Sequence, residues 1–192
     1  MARRSRRACL VSTVATANLM PNAKEPTKSS WLRDRPLLFV DIDGVISLYG
    51  FPPDAAPEGT WTQVDGIAHL LSATATRHLH ALAGSYELVW CSGWEEKANE
   101  HLPHLLGLGP YPHLSFPIGN GSEHWKIAAI EAHARGRPLA WIDDAHDESC
   151  WAWAERRTAP TLLVPTDPAT GLDDACALRL VEWAATLSPR SG

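Results

Sequence analysis

The strongest constraint on this chain is a run of four apolar residues, Leu37-Leu38-Phe39-Val40, with Pro36 before it and Asp41-Ile42-Asp43-Gly44-Val45 after it. Four residues are too few for a helix, and an unbroken apolar run fits a strand covered on both faces, as in a parallel sheet. Gly44 marks a sharp departure from that strand. Two carboxylates two residues apart therefore stand where the chain leaves the sheet, and crevices form at the carboxyl ends of parallel strands. A simple turn built from Asp and Gly is the competing reading of these residues alone.

The rest of the chain repeats the theme. Residues 47 to 66 carry Gly50, Pro52, Pro53, Pro57, Gly59 and Gly66, which exclude a long helix and suggest a flap or loop. Ile67, Leu70, Leu71, Leu79 and Leu82 then fall at helical spacing before Gly84, predicting a helix over 67–83. Tyr86 to Cys91 reads as a second strand, ending in Ser92-Gly93. A helix over 95–106 is expected to kink or split at Pro103, and Leu114 to Ile118 reads as a short strand. Ser122 is a fitting N-cap for a helix through Trp125, Lys126, Ile127, Ile130 and Ala134, closed by Gly136. Leu139 to Ile142 is a further strand ending in Asp143-Asp144. Asp147 can cap a helix to Arg157 that holds both Trp151 and Trp153, Thr161 to Val164 forms a last strand, and Asp173-Asp174 opens a final helix to Leu187. Strands separated by helices imply an α/β fold with parallel pairing and helices on both faces.

Composition narrows the function. The chain has 192 residues, ordinary for a soluble globular protein with one substantial core. No stretch reaches the roughly 18 apolar residues of a membrane span. Residues 1–35 hold eight basic side chains against Glu25 and Asp34, leaving nine basic and 20 acidic residues in the domain expected over 36–192. An acidic body argues against broad electrostatic binding to nucleic acid, although a basic pocket for one phosphate remains compatible with it. The basic leader reads as disordered, or as lying upstream of initiation near Met20; export is the alternative, because Arg3 to Arg7 precede a short apolar run ending in Ala-Thr-Ala. Cys9, Cys91, Cys150 and Cys176 contain no CxxC pair, so free thiols in the cytoplasm are expected rather than zinc or a disulfide framework. The histidine pairs His101/His104 and His78/His80 lack metalloprotease spacing, and His146 is set apart by its place beside the acid pair.

Three strand ends thus carry chemistry: Asp41 with Asp43, Ser92 with Gly93, and Asp143 with Asp144, while Lys126 opens a helix between the last two. In this order the motifs resemble the four motifs of the haloacid dehalogenase-like (HAD) superfamily across residues 36 to 187. The resemblance implies a Rossmann-like three-layer α/β/α sandwich around a mainly parallel sheet, and the intervals between motifs leave no room for a large cap domain. It also implies a Mg²⁺-dependent phosphohydrolase, with Asp41 as the nucleophile that forms an aspartyl phosphate and Asp43 as general acid/base. Ser92, Gly93 and Lys126 match the phosphate-binding positions. Asp41, the backbone carbonyl of Asp43, and Asp143 or Asp144 match the metal ligands, with Asp144 favoured for direct contact and Asp143 in support.

Asp43 favours phosphate over halide chemistry, because dehalogenation has no alkoxide leaving group to protonate. The absence of lysine between Gly44 and Ser92 argues against phosphonate hydrolysis. Trp90-Cys91-Ser92-Gly93-Trp94-Glu95, with Ala98-Asn99 and Thr170-Gly171-Leu172, is similar to small capless HAD domains of RNA-repair proteins. The expected partner is a phosphorylated small molecule or macromolecular end. A catalytically silent HAD-fold module that binds such a ligand is the alternative.

Overall fold

The computed structural model describes residues 35–116 and 124–187. Their core is a four-stranded parallel sheet in the order β5-β1-β6-β7, formed by β1 (Leu37–Val40), β5 (Glu87–Trp90), β6 (Leu139–Asp143) and β7 (Thr161–Pro165). All four residues of β1 are buried, as a strand covered on both faces requires. Alternation sorts its side chains. Leu38 and Val40 join a cluster with Leu79, Leu82, Ala98, Leu102, Ala177 and Leu180, whereas Leu37 and Phe39 join Ile127, Ile130, Ala134, Cys150 and Trp153. The first cluster draws on helices α1 (Ala73–Leu82), α2 (Lys97–Leu106) and α5 (Asp174–Leu187), the second on α3 (Ile127–Ala134) and α4 (Glu148–Arg156).

The register aligns the strand ends. Val40 lies opposite Trp90 on one side and Ile142 on the other, so Asp41, Cys91 and Asp143 follow side by side. Backbone bonds continue the alignment past β1, from Cys91 N–H to the Val40 carbonyl at 2.8 Å and from Asp41 N–H to the Ile142 carbonyl at 3.1 Å. Because β5 and β6 flank β1 on opposite sides, the sheet's winding reverses at β1, the position at which open α/β sheets form a crevice.

The segment read as a flap, together with the first residues of the expected helix, forms a second sheet of β2 (Ser47–Leu48), β3 (Gly59–Val64) and β4 (Ile67–Ser72), antiparallel in the order β2-β4-β3. The helix expected over 67–83 therefore begins at Ala73. Asp65 and Gly66 form the hairpin turn with φ of 53° and 80°, the paired positive values of a type I′ turn. Ile67, Leu70 and Leu71 belong to the returning strand, and Ser72 caps α1 by accepting from Ala75 N–H at 3.1 Å.

Other expectations shift locally. Pro103 lies inside an unbroken α2, which ends at Gly107 in a left-handed cap. Leu114 to Phe116 is not a strand; only a bridge between His113 and Trp90 extends the sheet edge there, and positions 117 and 118 lie outside the described residues. The expected leader over 1–35, apart from Arg35, and the expected cap Ser122 also lie outside them. Among the described residues no helix is long and apolar enough to cross a membrane, and Cys91, Cys150 and Cys176 are unbonded thiols.

The hairpin turn makes one stability prediction. Gly66 has open space where a Cβ would sit, so Gly66→Ala meets only the backbone cost of a left-handed conformation, about 1–2 kcal/mol. The urea midpoint should fall with an unchanged m-value. An unchanged midpoint would contradict the assigned turn.

Candidate active site

Alternation along β1 and β6 builds the centre of the site. Asp41 continues the Leu37-Phe39 face and Asp143 the Leu139-Trp141 face, so both carboxylates emerge on the side covered by α3 and α4. Lys126, immediately before α3, reaches both: its Nζ is 2.8 Å from Asp41 Oδ2 and 2.6 Å from Asp143 Oδ2. All three are buried, Lys126 to 3 % exposure, Asp41 to 7 % and Asp143 to 0 %.

The partners of the two aspartates differ. Asp143 accepts from Lys126 and the Trp141 indole N–H at Oδ2, and from Ala145 N–H at Oδ1. Both of its oxygens are engaged. Asp41 accepts from Ile42 N–H at Oδ1, 2.7 Å away, and meets Lys126 through Oδ2. Burial pushes the Asp41 carboxyl up to about 6, with Asp143 adding to the rise and Lys126 opposing it. For Lys126, burial alone would favour the neutral amine, but the charges of Asp41 and Asp143 outweigh it and hold the ammonium well above its ordinary range.

Asp144 turns from the end of β6 towards the β1 turn. Its Oδ2 accepts from the Tyr49 hydroxyl at 2.5 Å, and this hydrogen bond, followed by burial, pushes the Tyr49 phenol up to about 12. Gly44 makes the approach possible. At φ 73° it adopts a conformation that suits glycine, and a Cβ there would lie 2.4 Å from Asp144 Cγ.

Asp43 is more open, with 48 % of its side chain exposed, and its Oδ1 lies 3.7 Å from His69 Nδ1. The Trp94 indole N–H donates to its other oxygen at 2.9 Å. His69 is itself placed by a 2.8 Å hydrogen bond with Ser47 Oγ and an edge contact with Trp94. Ser92 is buried at the end of β5, one residue beyond the Cys91–Val40 backbone bond, while Gly93 is exposed with nothing within 4 Å of a built Cβ. This leaves its backbone open to an approaching ligand.

The donor set fits a hard divalent cation. Asp41, Asp143 and Asp144 each offer an oxygen within 4.8 Å of the others, the one such metal-capable group among the described residues. Asp41, Asp143 and Asp144 bring three carboxylates against the single ammonium of Lys126, with the Asp43 carboxylate close by. His146 lies outside that group: its ring packs edge-on against Trp141 and Trp151, burial pushes it down to about 4, and neither buried ring nitrogen has a hydrogen-bond partner. His78 and His80 bond to Asp174 and to the Leu106 carbonyl, respectively.

Tyr49, His69 and Trp141 are the site neighbours with no sequence signal. Trp94 is conspicuous beside Ser92-Gly93, but its bond to Asp43 spans 51 residues. Asn99, also near that motif, has a structural part: it accepts from the Trp90 indole and Tyr111 N–H and donates to the Tyr111 carbonyl, pinning that loop to β5.

Two predictions follow from this geometry. Asp41 binds its proton more tightly folded than at its ordinary 3.8, so its contribution to stability is full below about 3.8 and is lost as pH rises through about 6. Metal-free Asp41→Asn should therefore be more stable than wild type at pH 7.5, by on the order of 2 kcal/mol, with the gap closing by pH 4; a pH-independent difference in urea unfolding would contradict the assigned burial cost. If the three carboxylates hold a divalent cation, Gly44→Ala should displace Asp144 and weaken binding of that cation by roughly tenfold or more in titration calorimetry. Unchanged affinity would remove Asp144 from the ligand set.

No family model matches this chain, and no curated protein matches it.

Proposed function

We propose that the protein is a Mg²⁺-dependent phosphomonoesterase of the HAD type, with a Rossmann-like sandwich and no large cap, acting through an aspartyl phosphate on Asp41. The observation that carries the proposal is the buried Asp41–Lys126–Asp143 cluster, with Asp144 in reach, at the winding reversal of the parallel sheet. It pairs an anionic oxygen with a fixed cation where a phosphate would enter.

Asp41, Asp144 and the Asp43 backbone carbonyl would hold the metal. The engaged oxygens of Asp143 favour a supporting part for it, aligning Lys126. Bound Mg²⁺ would reduce the repulsion between the phosphate and Asp41 and polarise the phosphoryl group. The Ser92 hydroxyl, the Gly93 N–H and Lys126 would bind the phosphoryl oxygens and stabilise charge that builds up in the transition state.

Lys126 keeps Asp41 ionised against its burial, so that an Asp41 oxygen can attack phosphorus as the bond to the leaving oxygen breaks. Protonated Asp43 gives its proton to that oxygen and releases an alcohol. The resulting Asp43 carboxylate then takes a proton from water as the water oxygen attacks phosphorus and the bond to Asp41 breaks. Inorganic phosphate leaves, with Asp41 and protonated Asp43 restored. Trp94 and His69 hold Asp43 towards the mouth, free of the Lys126 cluster.

Wild type should hydrolyse phosphomonoesters with Mg²⁺ and stop when the metal is chelated. Asp41→Asn should lower kcat by roughly 10³-fold or more, and Asp43→Asn by roughly 10²- to 10⁴-fold on an alkyl phosphate. The Asp43 loss should shrink on nitrophenyl phosphate, whose leaving group needs little protonation. Activity untouched by Asp41→Asn would sink the mechanism, whereas an inert wild type that still binds phosphorylated ligands would favour a silent binding module.

A further inference from the structure

Three charged groups of the site each touch an aromatic ring. Tyr49 meets Asp144 through its hydroxyl, Trp94 meets Asp43 through its indole N–H, and Lys126 Nζ lies 5.0 Å from the centre of the Trp125 ring. Tyr49 and Trp94 are tied down by their polar ends, in contacts that orient carboxylates. Trp125 differs. It is 52 % exposed, yet Phe116 meets it edge-on at 4.5 Å and His124 lies nearly parallel to it at 5.9 Å. His124 is anchored in turn by its N–H bond to Ser149 Oγ at 2.8 Å and an edge contact with Trp141. A large planar side chain is thus held against the one ammonium that contacts the proposed nucleophile, with half its surface open.

We infer that Trp125 is a specificity-determining wall of the site, and that the substrate is a phosphomonoester whose leaving alcohol carries a planar aromatic group that stacks on this indole. The inference rests on the phosphate-site reading above. A phosphate held by Lys126 would lie beside an ammonium that is itself 5.0 Å from the centre of the Trp125 ring, which would bring its ester substituent into reach of that ring, and an indole face favours a flat π system over an aliphatic chain. The excess of acidic residues beyond position 35 fits a substrate recognised through a neutral ring and a single phosphate better than an extended polyanion. A nucleoside monophosphate and an aryl phosphate share this chemistry and differ in the size and distance of the ring.

Binding to the full-length Asp41→Asn protein with Mg²⁺, measured by calorimetry, tests the inference without turnover. The probes are adenosine 5′-monophosphate, phenyl phosphate and glycerol 3-phosphate. At least one ring-bearing probe should bind more tightly than glycerol 3-phosphate; which one binds best identifies the source of the ring. Adding Trp125→Ala should weaken that probe by roughly tenfold relative to glycerol 3-phosphate, while Trp125→Phe should keep most of the preference. Equal affinities for all three probes, a Trp125→Ala loss shared equally among them, or no binding of any probe would overturn the inference. Ring-dependent binding by a protein whose wild type hydrolyses nothing would uphold the stacking wall and reject the phosphatase reading.

Discussion

The contact of one ammonium with two carboxylates beneath the mouth of the sheet sets the terms for everything around it. Lys126, Asp41 and Asp143 are almost fully removed from water, and burying charges is costly unless they are paired and hydrogen-bonded. The pairing here is uneven. Asp143 gains an indole and a backbone N–H besides the ammonium, whereas Asp41 has one backbone N–H and its share of Lys126. Asp144, turned in over Gly44, adds a further negative charge. Stability alone would favour a neutral or better balanced cluster; the proposed site, which would accept a cation and transfer an anion, has use for this imbalance.

The scaffold explains why these groups meet. A parallel sheet aligns the ends of β1, β5 and β6, and the two-residue period sends Asp41 and Asp143 to the face that α3 covers. The position of β1 matters for the site: a shift of one residue would exchange its faces and carry Asp41 away from Lys126. The antiparallel sheet supplies the rest of the rim, with Tyr49 just beyond β2 and His69 within β4. A buried frame thus fixes the charged centre, and a more exposed addition shapes the entrance.

Much of the frame was legible because burial leaves a compositional mark. Leu37 to Val40 and Leu139 to Ile142 are continuous apolar runs, and the acids that end them stand out. Lys126 carried meaning only through its order among those strand ends, since nothing in its immediate neighbours announces a buried ammonium. The hairpin was hidden for a physical reason: all but one of the β3 residues remain solvent-accessible and show no alternation, while Ile67, Leu70 and Leu71 fit helical spacing as well as the tail of a strand. Asp65-Gly66 was its one clear signal. Tyr49 reaches Asp144 across 95 residues, and His69 reaches Asp43 only because the hairpin folds back, so no local pattern contains them.

Whether Asp41 receives the phosphoryl group, as proposed, is decided by rapid acid quench during turnover followed by peptide mass spectrometry. The predicted result is a peptide heavier by one phosphoryl group with the modification at Asp41, acid-stable enough to isolate and lost on exposure to hydroxylamine. Turnover with no phosphorylated Asp41 at any quench time, together with catalysis that survives Asp41→Asn, would contradict it.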